Sequence, residues 1–137
     1  MSMRENPVYD YGLVLNYEEF EELIKKYYIG ENKKEILDEL EYEDLTEIMY
    51  ELFDKFYSNI QFSGELDGIG MDSEDKYFED EKVFILPLLK GDALFQKYEN
   101  MEEIYNEIEQ QFEYMNLKFD LDFVKKHIGK VIGSYWG

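Results

Sequence analysis

The segment EDLTEIMYELFDKFYSNIQFSGEL, residues 43–66, changes its hydrophobic period part-way along, and that change decides the fold. Leu45, Ile48, Met49, Leu52, Phe53 and Phe56 recur at the spacing of a helix with one apolar stripe, which predicts a helix over residues 43–57. From Asn59 the period falls to two. Ile60, Phe62 and Leu66 face one way with Gly64 in the same register, as in a strand with one buried face. Gly64, Gly68 and Gly70, with the turn signal Asp67-Gly68, predict a hairpin or a bent, bulged strand.

Toward the N-terminus, residues 11–15 (YGLVL) read as a short strand. Asn16 follows as an N-cap with Glu19 in capping-box position. Phe20, Leu23, Ile24, Tyr27 and Tyr28 form the stripe of a first helix, with Gly30 placed as its C-cap. A second, shorter helix starts near Asn32 and carries Ile36, Leu37 and Leu40. Toward the C-terminus, residues 72–81 read as an acidic loop and residues 83–89 as a buried strand. Pro87 there marks an edge or a strand end. Asn100 caps a helix with the stripe Met101, Ile104, Tyr105, Ile108, Phe112 and Met115. Asp120 caps a last short helix holding Phe123, Val124 and His127, stopped by Gly129, before a closing strand over residues 130–136. The order β-α-α-α-β-β-α-α-β predicts a single α+β domain over residues 1–137, with four to five helices packed on a small, mostly antiparallel sheet.

The composition excludes several function classes. The 33 Asp and Glu against 14 Lys and Arg give a net charge of −19 on a chain that is 45% hydrophobic. Enough apolar surface is present to fold, unlike an acidic disordered tail. Direct binding to nucleic acid or to an anionic membrane needs a basic face, and neither is expected. No Cys is present, so no disulfide forms. With His127 as the one histidine, a zinc or iron site of the usual nitrogen and sulfur type cannot be built within one chain, and no cofactor is expected. The longest apolar run, 83–89, is far short of the ~20 residues of a membrane span. The first residues lack the apolar core of a signal peptide, which points to the cytoplasm. Lysine supplies all the basic residues except Arg4, and the many Tyr, Ile and Asn fit a low-GC bacterium or its phage.

Catalytic patterns are wanting. No serine sits in a G-x-S-x-G elbow. A calcium loop begun at Asp72 would put Lys76 at its fifth position and Tyr77 at its sixth, where the motif needs a ligand and a glycine. The expectation is a non-enzymatic protein, with His127 as a partly exposed residue favourable to its helix dipole.

The charge itself is located. Residues 16–60 carry 14 acidic and 5 basic side chains, and residues 61–81 carry 8 and 1, so these two segments hold −16 of the total. On the helix predicted over residues 43–57, Glu43, Glu47, Glu51 and Asp54 fall on one face at spacings of four, four and three, and Glu39 extends the row. Like charges at this spacing oppose helix formation by a few tenths of a kcal/mol per pair, about what opposite charges would contribute. The second acidic group is Asp72, Glu74, Asp75, Glu79, Asp80 and Glu81 in the predicted loop. Tyr42 and Tyr50 lie off the apolar stripe and are expected to be exposed beside the carboxylates.

In size and charge the chain resembles the small acidic inhibitors encoded by phages and mobile elements, the anti-CRISPR and anti-restriction mimics of DNA. The resemblance is one of composition, without a shared motif. It implies a protein that occupies the basic, nucleic-acid-binding site of a partner such as a nuclease, a CRISPR effector or a restriction enzyme. Two other readings fit the same composition. One is an immunity protein or antitoxin that masks a cationic toxin. The other is a small domain that uses its carboxylates to bind a metal or a ligand.

Overall fold

A computed structural model of the chain describes residues 5–68, 76–87 and 101–136. The elements run β1 (Glu5–Asn16), α1 (Tyr17–Tyr27), α2 (Lys33–Glu39), α3 (Leu45–Leu52), β2 (Tyr57–Gly68), β3 (Lys76–Pro87), α4 (Met101–Tyr114), α5 (Leu121–His127) and β4 (Ile128–Trp136). This is the order read from the sequence, and the fold is α+β. Every strand pairing is antiparallel. β1 and β2 each pair with both β3 and β4, so the sheet closes on itself in the order β1-β3-β2-β4. A closed sheet has no free edge to protect, and Pro87 sits at the end of β3.

Alternation along the strands builds two cores. Leu13 lies opposite Leu86 and Leu15 opposite Phe84. These four side chains join the helix residues Phe20, Leu23, Ile24, Ile48, Met49, Ile108, Phe112 and Val124 in one buried cluster. Phe20 is at its centre, stacked on Phe84 at 4.2 Å and edge-on to Phe53 and Phe56 at 5.9 and 5.1 Å. Such ring contacts contribute about 0.5–1.5 kcal/mol each beyond the buried area. Val14 and Ile85, opposite one another, are equally buried but lie outside that cluster, as are Phe78, Val83 and Val131. They occupy the other face, turned into the closed sheet.

Register shifts make this possible. From Asn59↔Val83 to Phe62↔Glu81, β2 advances one residue more than β3; from Phe62↔Glu81 to Gly64↔Phe78, β3 advances one more than β2. The second shift places Phe78 on the same face as Val83 despite their odd separation. The bent, bulged strand expected around Gly64 is therefore present, with Gly64 at the shift. At Gly12 a Cβ would collide with the carbonyl oxygen of Leu86 and stand 3.0 Å from Pro87 Cα, so only glycine lets β1 approach β3 here while pairing with Gly129 of β4.

The helix expected over residues 43–57 is a correction. α3 covers only Leu45–Leu52, with Asp44 as its N-cap. Phe53 is already extended at φ −130°, ψ 100°, and Tyr57 pairs with Ile85. The last turn of α3 has no basic residue and contains Glu51, so the helix dipole does not favour continuing into Asp54. Phe53 and Phe56 still reach the core, from beyond the end of the helix. Gly30 does not cap α1. The helix stops at Tyr27 because Tyr28 forms a bridge with Leu117, flanked by Ile29 N–H donating to the Asn116 carbonyl (2.8 Å) and Lys118 N–H to the Tyr27 carbonyl (2.7 Å). The loop expected over 72–81 is strand from Lys76 onward. Gly129 does not stop α5, which ends at His127 as β4 begins. Asn100 and Gly70 lie outside the described residues. Among the described residues, no helix is long and apolar enough to cross a membrane.

Candidate functional site

The acidic shoulder is built by the turn that joins α2 to α3. Tyr42 and Glu43 both return their N–H groups to the Glu39 carbonyl, at 2.9 and 2.8 Å, so Glu43 lies one turn beyond Glu39. Asp44 then starts α3 by accepting from Thr46 N–H at 2.8 Å, and Lys82 of β3 reaches the same carboxylate at 3.3 Å. These donors hold the Asp44 carboxyl below the usual carboxylate range, the backbone bond from Thr46 most strongly.

Glu39 reports on its neighbours. Its carboxyl is pushed up, first by burial and then by the charges of Glu51, Glu43 and Glu35. One of its oxygens, Oε2, is closed off from solvent without a hydrogen-bond partner. Glu43 and Glu51 thus act on Glu39. Glu35 joins them and was missed, although its position one turn before Glu39 on α2 is the signal that would have found it. Glu47 is exposed on α3 one turn before Glu51. The four-membered helical face read from the sequence does not form as such, because Glu43 precedes the α3 cap and Asp54 follows its end.

Contrast with α1 gives the shoulder its meaning. On α1, Glu21 pairs with Lys25 at 2.6 Å and Glu22 with Lys26 at 2.7 Å, both at i, i+4. Among the described residues no cation stands within ion-pair distance of Glu39, Glu43, Glu47 or Glu51. Lys55, the nearest lysine along the chain, has its ammonium over the Tyr114 ring at 5.6 Å. Tyr42 and Tyr50 are 86% and 68% exposed on this segment, as the stripe implied.

Of the second acidic group, Asp72, Glu74 and Asp75 lie outside the described residues. Glu79 and Glu81 are exposed on β3 rather than on a loop, and Asp80 is on the same strand. The Lys82–Asp44 contact brings β3 against the start of α3, so Glu81 is one residue from the point where the two acidic segments meet.

Elsewhere, an open hollow of about 540 Å³ at the end of α1 is lined by Tyr28, Ile29, Gly30, Glu31, Asn32 and Asn116, and none of the acidic residues singled out above lines it. His127 is paired with Glu19 at 2.9 Å, a contact that the helix-dipole reading of its sequence position does not contain. Among the described residues, no three His, Asp or Glu side chains are grouped so as to hold a metal ion. Comparison with protein families, with characterised proteins and with solved structures gives no match for the chain.

Proposed function

We propose that this is a non-enzymatic acidic binding protein that blocks a basic, nucleic-acid-binding site on a partner protein in the bacterial cytoplasm. One observation carries the reading: Glu39, Glu43, Glu47 and Glu51 are gathered on the α2–α3 shoulder with no cation within ion-pair distance among the described residues, while Glu21 and Glu22 of α1 are paired with lysines. Like charges gathered in this way oppose folding, and their use is in meeting opposite charge elsewhere. Closely spaced carboxylates approximate the charge pattern of a phosphate backbone, so the natural complement is a cleft lined by Lys and Arg. Tyr42 and Tyr50 supply aromatic surface of the kind that anchors interfaces. The partner class is a nuclease, CRISPR effector or restriction enzyme, and association would be fast and salt-sensitive.

The test is capture of partners from a bacterial lysate on the immobilised protein at low and high salt, beside a Glu43→Lys, Glu47→Lys, Glu51→Lys variant. The reading predicts a basic nucleic-acid-binding protein that salt or added DNA releases and that the variant does not hold. A toxin as the captured protein would turn the reading toward an immunity protein using the same face.

A further inference from the structure

We propose that the hollow at the end of α1 is a seat for an arginine side chain of the basic partner, placed where the row of acids on the shoulder begins. The partner is that of the reading above; the seat stands on the hollow itself. The hollow holds about 540 Å³, within the range of small-ligand sites, about 300–1,000 Å³. Its walls are fixed from two sides. Tyr28 forms the bridge with Leu117, and Ile29 N–H donates to the Asn116 carbonyl at 2.8 Å. Asn116 closes α4 in the left-handed region at φ 57°, with the Leu117 N–H returned to the Phe112 carbonyl at 2.8 Å. The Tyr28 hydroxyl donates to Asn32 Oδ1, and a Cβ at Gly30 would collide with the Tyr28 phenol, so glycine lets that ring lie against the turn.

The lining selects a cation. Glu31 is its one charged residue, and among the described residues no cation stands within ion-pair distance of it. Lys33 and Lys34 follow Asn32 in the chain but do not line the hollow. Asn32 and Asn116 add amide oxygens that accept hydrogen bonds. Tyr28 to Gly30 directly follow the end of α1, and Asn116 lies two residues past the end of α4, so two helix C-termini of partial negative charge border the hollow. The start of α2, the shortest of the three helices, opposes them. Glutamate recurs at residues 31, 35, 39, 43, 47 and 51, every fourth position, so the acids of the shoulder lead to this rim. A guanidinium suits the seat better than an ammonium. It is planar and weakly hydrated, and its fork of donors can be taken together by a carboxylate and amide oxygens. Ile29, 65% exposed, offers an apolar wall to the aliphatic stem.

The test is a titration at low salt with N-acetyl-arginine amide, and separately with N-acetyl-lysine amide, followed by the backbone amide chemical shifts of the protein. Glu31→Gln and Glu47→Gln are titrated alongside; both glutamates are exposed, and Glu47 does not line the hollow. The arginine probe should give saturable shifts at Ile29, Gly30, Asn32 and Asn116. Its affinity should fall about fivefold in Glu31→Gln and stay within about twofold in Glu47→Gln. The lysine probe should bind at least about threefold more weakly. No saturable shift at the hollow, an equal response to the lysine probe, or an equal loss in Glu47→Gln would overturn the seat. The probe reads the hollow with no partner present, so its failure is separate from failure of the shoulder reading, which partner capture decides.

Discussion

The backbone carbonyl of Glu39 accepts the N–H of Glu43 at 2.8 Å, and the Glu39 carboxyl responds to the charge of Glu51 on the next helix. A single turn thus gathers acids from α2, the connection and α3 onto one shoulder. The first consequence concerns stability. A carboxyl whose protonation is favoured in the folded state opposes folding when ionised, and the opposition is relieved as pH falls through its folded value. Glu39→Gln should therefore raise the melting temperature at neutral pH, and the advantage over the unmodified protein should disappear on acidification. A melting temperature that falls at neutral pH would mean that the Glu39 charge is compensated.

Asp44 should behave in the opposite sense. Its carboxyl is held low by the Thr46 N–H and by Lys82, so its contribution is present at neutral pH and lost as pH falls through its folded value. Asp44→Ala should cost about 1 kcal/mol in urea unfolding at neutral pH, and the difference should shrink in acid. Asp44→Asn, which keeps the capping oxygen, should recover most of the loss.

Gly12→Ala tests the closed sheet. The new Cβ meets backbone on β3, which cannot swing aside as a side chain can. The expected cost is about 2–3 kcal/mol or more, with loss of amide protection along both β1–β3 and β1–β4. An alanine accommodated within about 0.5 kcal/mol would contradict the close approach of β1 and β3.

Tyr27 donates its hydroxyl to Asp120 Oδ2 at 2.8 Å, and burial, then this bond and the Asp120 charge, push its ionisation up to about 12. Its contribution is therefore whole below the ordinary tyrosine range and is lost as pH rises through the folded value. In ultraviolet titration of the 13 tyrosines, one should ionise last, and Tyr27→Phe should remove that step. The same variant should lose about 1 kcal/mol at neutral pH.

The order of elements was legible because period and capping are local. Asn16 with Glu19 and Asp120 before Phe123 act as the caps their spacing announces. What was not legible depends on distant partners. α3 ends early because Tyr57 pairs with Ile85, and α1 ends before Gly30 because Tyr28 meets Leu117. Closure of the sheet rests on register shifts between β2 and β3 that only the glycines hinted at. For the site, charge along the chain located the shoulder, and Tyr42 and Tyr50 are exposed as their positions off the stripe implied. Glu35 was within reach of the sequence, one turn before Glu39 on α2, whereas the early end of α3 follows from the pairing of Tyr57 with Ile85, which no single-helix projection contains.

The proposed encounter is between the α2–α3 shoulder and a basic surface on another protein. Its most direct measurement is the salt dependence of binding between a captured partner and two forms of this protein, unmodified and Glu43→Lys, Glu47→Lys, Glu51→Lys. Affinity should fall steeply with salt for the unmodified protein, and the variant should bind weakly and almost independently of salt. Equal affinity and equal salt dependence for both forms would contradict it.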